Sequence, residues 1–190
     1  MRKVIVSNLI TVDGFIAAPD GDLSWFAVGP EFFTDYHDGL MASMGAILYG
    51  RVTYEMMRDY WTSPGASTEN DKAVVDKMNE LPKHVFSRTL KKAGWGKWDN
   101  ASVSSDPVAT VKQLKMTTGG DLMIFGSGGL VSALAPHGLI DEYRFFVNPT
   151  ILGQGTPMFR GLQARVPLEL IGSRIYDRKV VMLTYRPTGS

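Results

Sequence analysis

Residues 121–130 have the sequence DLMIFGSGGL, in which an apolar stretch runs directly into three glycines and a serine. The apolar part, 121–125, is typical of a short buried strand, and the glycine-rich part predicts a tight turn into a helix that continues to Leu134. Glycines let a backbone approach a ligand closely, and free N–H groups at a helix start attract phosphate. The segment therefore indicates a phosphate-binding turn, with a purely structural turn as the alternative.

This turn does not complete the dinucleotide-binding fingerprint G-x-G-x-x-G. Val131 stands where the fingerprint has its last glycine. The acidic residue that the fingerprint expects about 20 residues later is also missing. The turn alone consequently indicates phosphate binding in general, and the identity of the ligand has to be inferred from other parts of the chain.

Two further polar turns follow predicted strands. Residues 50–55, GRVTYE, come after the strand at 46–49, and residues 87–89, SRT, come after the strand at 83–86. Arginine guanidinium groups can bind phosphate through two parallel hydrogen bonds, and serine or threonine hydroxyls can add further donors. Each turn alone is more often a solvated loop, so the prediction depends on all three occurring together.

The rest of the chain predicts how these turns are arranged. Strands are predicted at residues 4–10, 46–49, 83–86, 101–104, 121–125 and 143–147. Helices are predicted over residues 30–44 and 70–80, and two others begin at residues 52 and 107. The helix after the glycine turn ends at residue 134, and residues 62–68 are predicted to form a loop. Two longer strands, 168–176 and 180–186, form a closing antiparallel hairpin. This alternation predicts one α/β domain over residues 1–190, with a mostly parallel central sheet and helices on both faces.

In such a sheet, ligands bind outside the carboxyl ends of the strands. The three polar turns would then lie along one edge, where a ligand with separated phosphates, such as a dinucleotide, contacts them together. Two arginines beyond those that a pyrophosphate needs indicate an additional 2′-phosphate. The sequence therefore favours NADPH over NADH as the cofactor.

Composition excludes several other classes of protein. The chain has 190 residues, no cysteine and a formal net charge of +1. Disulfide frameworks, thiolate nucleophiles and cysteine-bound zinc are thereby excluded, and the three scattered histidines predict no metal site. Neither the charge nor any apolar segment indicates nucleic-acid or membrane binding. A cytoplasmic enzyme that acts on a small-molecule substrate is the expectation.

Five motifs occur along the chain in an order that is typical of one family. They are residues 11–17 (TVDGFIA), 50–55 (GRVTYE), 87–89 (SRT), 126–129 (GSGG) and 148–155 (NPTILGQG). With these motifs the chain resembles the dihydrofolate-reductase-like family, and within it the RibD C-terminal (riboflavin biosynthesis reductase) domain type. The resemblance extends from Lys3 to Arg186.

The resemblance implies an NADPH cleft and assigns residues to it. The glycine turn that holds the pyrophosphate corresponds to Gly126, Ser127, Gly128, Gly129 and Leu130. The adenosine 2′-phosphate side corresponds to Gly50, Arg51, Thr53, Ser87 and Arg88. The nicotinamide and substrate side corresponds to Asp13, Gly14, Ala17, Leu152 and Gly153. Members of the family are often homodimers, with late strands contributing to the interface.

The activity that the resemblance implies is hydride transfer from NADPH to a small heterocycle, as in 5-amino-6-(5-phosphoribosylamino)uracil reductase or dihydrofolate reductase. The accompanying proton could come from water, Asp13, Glu31 or Asp35, and an acid in this role needs a pKa raised by burial. Alternatively, Asp13 forms the turn beside Gly14, and Glu31 and Asp35 stabilise the start of a helix by interacting with the positive end of its dipole. A non-catalytic NADPH- or nucleotide-binding sensor is the competing hypothesis.

Overall fold

The structure is a computed structural model that describes residues 1–29, 31–32 and 41–189. Most of the helix predicted over 30–44 lies outside these residues, as does the candidate acid Asp35. The predicted end of that helix is wrong, because Met44 already belongs to a strand. Among the described residues, no helix combines the length and apolar character needed to cross a membrane.

The described strands form one large sheet and one small one. The strands are β1 (Val4–Thr11), β2 (Phe15–Ala17), β3 (Met44–Gly50), β4 (Lys83–Phe86), β5 (Ala101–Ser104), β6 (Asp121–Ile124), β7 (Glu142–Asn148), β8 (Thr156–Pro157), β9 (Leu168–Tyr176) and β10 (Val180–Pro187). The large sheet has the order β5-β4-β3-β6-β1-β7-β10-β9. All its pairs from β5 to β7 are parallel, and the closing β9–β10 hairpin is antiparallel. The predicted mostly parallel sheet with a C-terminal hairpin is confirmed.

The α-helices of the described residues lie between the parallel strands along the chain. They are α1 (Arg51–Trp61), α2 (Pro64–Glu69), α3 (Lys72–Glu80), α4 (Pro107–Lys115) and α5 (Gly128–Leu134). The predicted loop over 62–68 is wrong, since α2 occupies most of it. Ser63 caps α2 by accepting a hydrogen bond from the N–H of Ala66, and Pro64 suits the first helical position.

Each face of the sheet carries helices over its own apolar core. On one face, α4 and α5 bury Val111, Val131 and Leu134 against the inward side chains of β1, β6 and β7. On the other face, α1 and α3 pack Tyr54 and Met78 around β3 and β4. Burial of this apolar surface is the main stabilising contribution, at about 25 cal/mol per Å². The prediction of helices on both faces is confirmed.

A buried polar network fixes the start of β4 and the long loop that follows this strand. Lys83 is fully buried, and its Nζ donates to the carbonyl of Asn79 and lies 4.4 Å from the centre of the Trp95 ring. The indole Nε1 of Trp95 donates to Oδ1 of Asn79 at 2.7 Å. Because Ser87 and Arg88 directly follow β4, this network also helps to set the position of one of the three polar turns.

Substitution of Lys83 tests this network through the pH dependence of stability. Burial lowers the pKa of Lys83 to about 7 from an ordinary 10.5, so the unfolded chain binds one more proton than the folded protein between these values. The free energy of unfolding should therefore rise with pH between about 7 and 10, with a contribution of up to about 1.4 kcal/mol per pH unit.

The Lys83→Met variant should lack this contribution. Urea denaturation of both proteins over that pH range measures the difference between them. Parallel pH profiles for the wild type and the variant would show that Lys83 keeps its proton in the folded state.

Candidate functional site

The sheet order places the three polar turns side by side. The strands β4, β3, β6 and β1 are consecutive neighbours and all run parallel, so their carboxyl ends meet at one edge. The ends of β4, β3 and β6 lead into the three polar turns, at residues 87–89, 50–53 and 126–129 respectively. The end of β1 leads into residues 11–14. The structure thus brings together the segments that the sequence singled out.

The glycine turn is joined to the turn after β3 by two hydrogen bonds of Ser127. Its backbone N–H donates to Oγ1 of Thr53 at 3.1 Å, and its Oγ accepts from the N–H of Gly50 at 3.0 Å. Both hydroxyl oxygens therefore serve as acceptors within the protein. Since a hydroxyl also carries one proton, Ser127 and Thr53 each keep a donor that can point to a ligand.

Ser127 has the left-handed backbone conformation, with φ of 54°, which non-glycine residues rarely adopt. Gly126 before it also has a positive φ, of 56°. Such strain persists where the surrounding contacts determine the conformation, and it occurs often at ligand sites. The hydrogen bonds of Ser127 are the contacts that maintain it here.

Asn8, in the middle of β1, holds the glycine turn from the other side. Its Nδ2 donates to the carbonyl of Gly126 at 2.9 Å, and its Oδ1 accepts from the N–H of Gly126 at 2.6 Å. The same Nδ2 lies 2.9 Å from Sδ of Met158. Neither residue belongs to a motif that can be identified in the sequence, although a polar amide inside an apolar strand is itself a sign of a buried partner.

Two glycines of the turn are needed for different reasons. A Cβ on Gly128 would lie 2.6 Å from the carbonyl oxygen of Met158, whereas a Cβ on Gly129 would meet no atom within 4 Å. Gly128 therefore serves close packing within the protein, and Gly129 borders open space that is available to a ligand.

Alanine substitutions at these glycines should separate the two roles. Gly128→Ala should lower the free energy of unfolding by about 1–3 kcal/mol, because the added methyl group overlaps a backbone oxygen. Gly129→Ala should leave stability unchanged or raise it by up to about 1 kcal/mol, since alanine is the better helix former. Urea denaturation measures both, and equal losses in the two variants would contradict this assignment.

The two arginines at this edge differ in their surroundings. Arg51 forms an ion pair with Glu55 one helical turn later, at 2.8 Å, and both side chains are exposed. Arg88 is exposed, and none of the described carboxylates lies within ion-pairing distance of it. Beside it, Oγ of Ser87 accepts from the N–H groups of Thr89 and Leu90, which fixes the turn. An anionic ligand would therefore find Arg88 without a competing partner.

Asp13 joins the loop after β1 to the loop after β7. Its carboxylate accepts hydrogen bonds from the hydroxyl of Thr11 at 2.6 Å and from the N–H groups of Leu152 and Gly153 at 3.2 and 2.7 Å. These donors, that of Thr11 first, lower the pKa of Asp13. An ionised carboxylate held by three donors suits the positioning of the two loops better than proton donation.

The same two loops pair as a small second sheet that the sequence did not predict. Phe15 and Ala17 of β2 lie opposite Pro157 and Thr156 of β8, and the N–H of Met158 donates to the carbonyl of Gly14 at 2.8 Å. Strands of two or three residues give no periodic signal in a sequence. Because the backbone of Met158 also lies against Gly128, this pairing joins the loops that carry the predicted positions 14, 17, 152 and 153 to the glycine turn.

Glu31 lies apart from the three polar turns. One carboxylate oxygen accepts from the N–H of Asp177 at 2.9 Å, and the other lies 3.5 Å from Nη2 of Arg174. The carboxylate is thus engaged at the β9–β10 hairpin, three strands beyond β6 in the sheet order. Asp35 lies outside the described residues.

The parallel strands and the polar edge define a class, the α/β proteins in which polar turns lie at the carboxyl ends of a mostly parallel sheet. A family model described as the RibD C-terminal domain matches residues 2–182. The chain belongs to this family.

Relatives and solved structures agree with that membership. The chain is 28% identical over 191 residues to the uncharacterized protein YyaP of Bacillus subtilis, covering 99% of this chain and 96% of that protein. The fold is similar to that of RibD from Acinetobacter baumannii, with a TM-score of 0.71, 21% identity and coverage of 99% of this chain and 58% of RibD. Dihydrofolate reductase from Enterococcus faecalis, complexed with NADP(H), gives a TM-score of 0.63 at 15% identity, covering 98% of this chain and 97% of that one.

Proposed function

We propose that the protein is an NADPH-dependent reductase that transfers hydride to a small heterocyclic substrate. The proposal depends chiefly on one observation: three turns bearing hydroxyls, arginines and an open glycine follow neighbouring parallel strands at one sheet edge. A ligand that spans these turns must carry anionic groups several strand spacings apart, and neighbouring strands lie about 4.8 Å apart. A phosphorylated dinucleotide meets this requirement.

The residues present suit NADPH. Residues 126–130 would hold the pyrophosphate, with Gly129 facing open space and the hydroxyl protons of Ser127 and Thr53 left to donate. Arg51 and Arg88, with Gly50 and Ser87 in their turns, would hold the adenosine 2′-phosphate. Ala17 would border the nicotinamide. The bound cofactor supplies the hydride, and the protein supplies binding, orientation and a dry site.

Substrate would bind on the side of the two paired loops. Gly14, Leu152 and Gly153 lie there, and Asp13 fixes their backbone by accepting from both residues of the second loop. A loop position fixed in this way keeps a substrate oriented toward the cofactor, which is a large part of what such enzymes contribute. Asp13 acts as a positioning residue in this proposal.

Alanine substitutions at the two arginines test the cofactor assignment. Arg88→Ala and Arg51→Ala should each weaken NADPH binding about tenfold or more, because each removes charge-assisted hydrogen bonds to the 2′-phosphate. NADH, which lacks that phosphate, should bind the variants nearly as well as the wild type. Arg178→Ala, at an exposed arginine of the distant hairpin, is the matched control. Equal weakening of both nucleotides would contradict the assignment to the 2′-phosphate.

One observation favours the alternative, a protein that binds NADPH or a related nucleotide without turnover. Of the acids predicted to donate a proton, Asp13 is held ionised and Glu31 is engaged at the hairpin. Oxidation of NADPH in the presence of a panel of pyrimidine, pterin and sugar-phosphate substrates separates the hypotheses. Turnover of any substrate above the background rate supports the reductase, and tight cofactor binding without turnover supports the sensor.

A homodimer is part of the same proposal. The end strand of the sheet, β9, leaves one row of backbone groups for pairing and exposes Leu170, Ile171 and Ile175, the last with 63% of its surface accessible. An exposed apolar edge strand favours pairing with a second chain.

The Ile175→Lys variant should therefore be a monomer in light scattering where the wild type is a dimer. Ile151→Lys, at an isoleucine in a loop that is even more exposed, is the control and should leave the dimer intact. A monomeric wild type would exclude the dimer.

A further inference from the structure

A cavity lies between β7 and the segment that precedes β9, and Tyr143 places it near the amino end of β7, away from the polar edge at the carboxyl ends of the strands. Its volume is about 220 Å³. Its main lining residues are Tyr143, Phe159, Leu162, Arg165, Val166 and Leu168. None of them belongs to the residues proposed for the cofactor or the substrate.

The wall of this cavity is mainly apolar and includes the aromatic rings of Tyr143 and Phe159. The ring of Phe159 lies 6.5 Å from that of Tyr143 and 6.0 Å from that of Phe145, the latter in an edge-to-face arrangement. Leu162, Val166 and Leu168 pack against the core below. Rings in this arrangement offer both faces and edges to a flat apolar ligand.

Tyr143 adds a hydrogen-bond donor to this wall. The side chain is only 1% exposed, and among the described residues its hydroxyl has no hydrogen-bond partner. A buried phenol normally finds such a partner. Burial raises the pKa of Tyr143 to about 12, so the hydroxyl keeps its proton at neutral pH.

Arg165 adds a positive charge at the opening. It is exposed, and no described carboxylate lies within ion-pairing distance of its guanidinium. Arginines on the neighbouring strands differ in this respect, since Arg144 pairs with Glu142 and Arg186 pairs with Glu169. Both residues line the same cavity, so a guanidinium and a phenol hydroxyl are available there as donors to a carboxylate.

We propose that this cavity binds a small monocarboxylate with an aromatic body, its carboxylate on Arg165 and Tyr143 and its ring against Phe159. The volume restricts the ligand to about a single ring, since drug-sized ligands occupy pockets of about 300–1,000 Å³. The site is distinct from the proposed reductase site and does not depend on it.

The two sites are connected by one segment of chain. Met158 packs on Gly128 of the glycine turn, and the next residue, Phe159, lines the cavity. Because the sites share no lining residue, NADPH and the carboxylate should bind at the same time.

Ligand-observed NMR with benzoate tests this site, with benzyl alcohol as a neutral control of similar size. The wild type should bind benzoate more tightly than benzyl alcohol. Arg165→Gln should weaken benzoate about tenfold or more and leave benzyl alcohol unchanged, because only the charged ligand uses the guanidinium. Tyr143→Phe keeps the ring in the core and should weaken benzoate several-fold.

The matched control is Arg160→Gln, at an exposed arginine of the same segment that does not line the cavity, and it should bind benzoate like the wild type. Equal affinity for benzoate and benzyl alcohol, or equal effects of the two arginine substitutions, would overturn the proposal. Displacement of benzoate by NADPH would also overturn it, because benzoate would then occupy the cofactor cleft. Absence of benzoate binding has the same consequence.

Discussion

The pair of hydrogen bonds made by Ser127 is the interaction on which the candidate site depends. It joins the turn after β6 to the turn after β3 through Thr53 and Gly50, and it holds Ser127 in a backbone conformation that costs energy. Asn8 fixes the adjoining residue, Gly126, from β1. Three neighbouring strands thus share one rigid polar edge, and rigidity of this kind lowers the entropy lost when a ligand binds.

The general architecture could be predicted from the sequence because its signals are local. Apolar stretches of four to eight residues, capping residues such as Asp106 before Pro107, and the glycine turn each specify one element. Their alternation then determines a mostly parallel sheet, and the sheet determines that the three turns meet. The short helix α2 and the β2–β8 pairing were missed, since neither is long enough to show periodicity.

The partners of individual side chains could not be predicted in the same way. Asp13 and Glu31 had the right chemistry for a proton donor, yet one accepts from a loop 139 residues away and the other from a hairpin 146 residues away. Asn8 and Met158, which support the glycine turn, carry no motif at all. Contacts of this kind depend on tertiary packing, which a single sequence does not display.

The glycines illustrate the same distinction. In the sequence, Gly126, Gly128 and Gly129 are equivalent members of one motif, but only Gly129 borders open space. A glycine motif therefore combines residues needed for the fold with residues left for a ligand, and only the neighbours of each one tell them apart. The two arginines also differ in their neighbours, since Arg51 has an acidic partner and Arg88 has none among the described residues.

The central claim is that the polar edge binds NADPH and distinguishes it from NADH. Titration of the wild-type protein with each nucleotide tests it most directly, followed by quenching of its four tryptophans and energy transfer to the nicotinamide. We expect saturable binding of NADPH, about tenfold or more tighter than that of NADH, because the 2′-phosphate adds charge-assisted hydrogen bonds. Absence of binding by both nucleotides, or equal affinity for them, would contradict it.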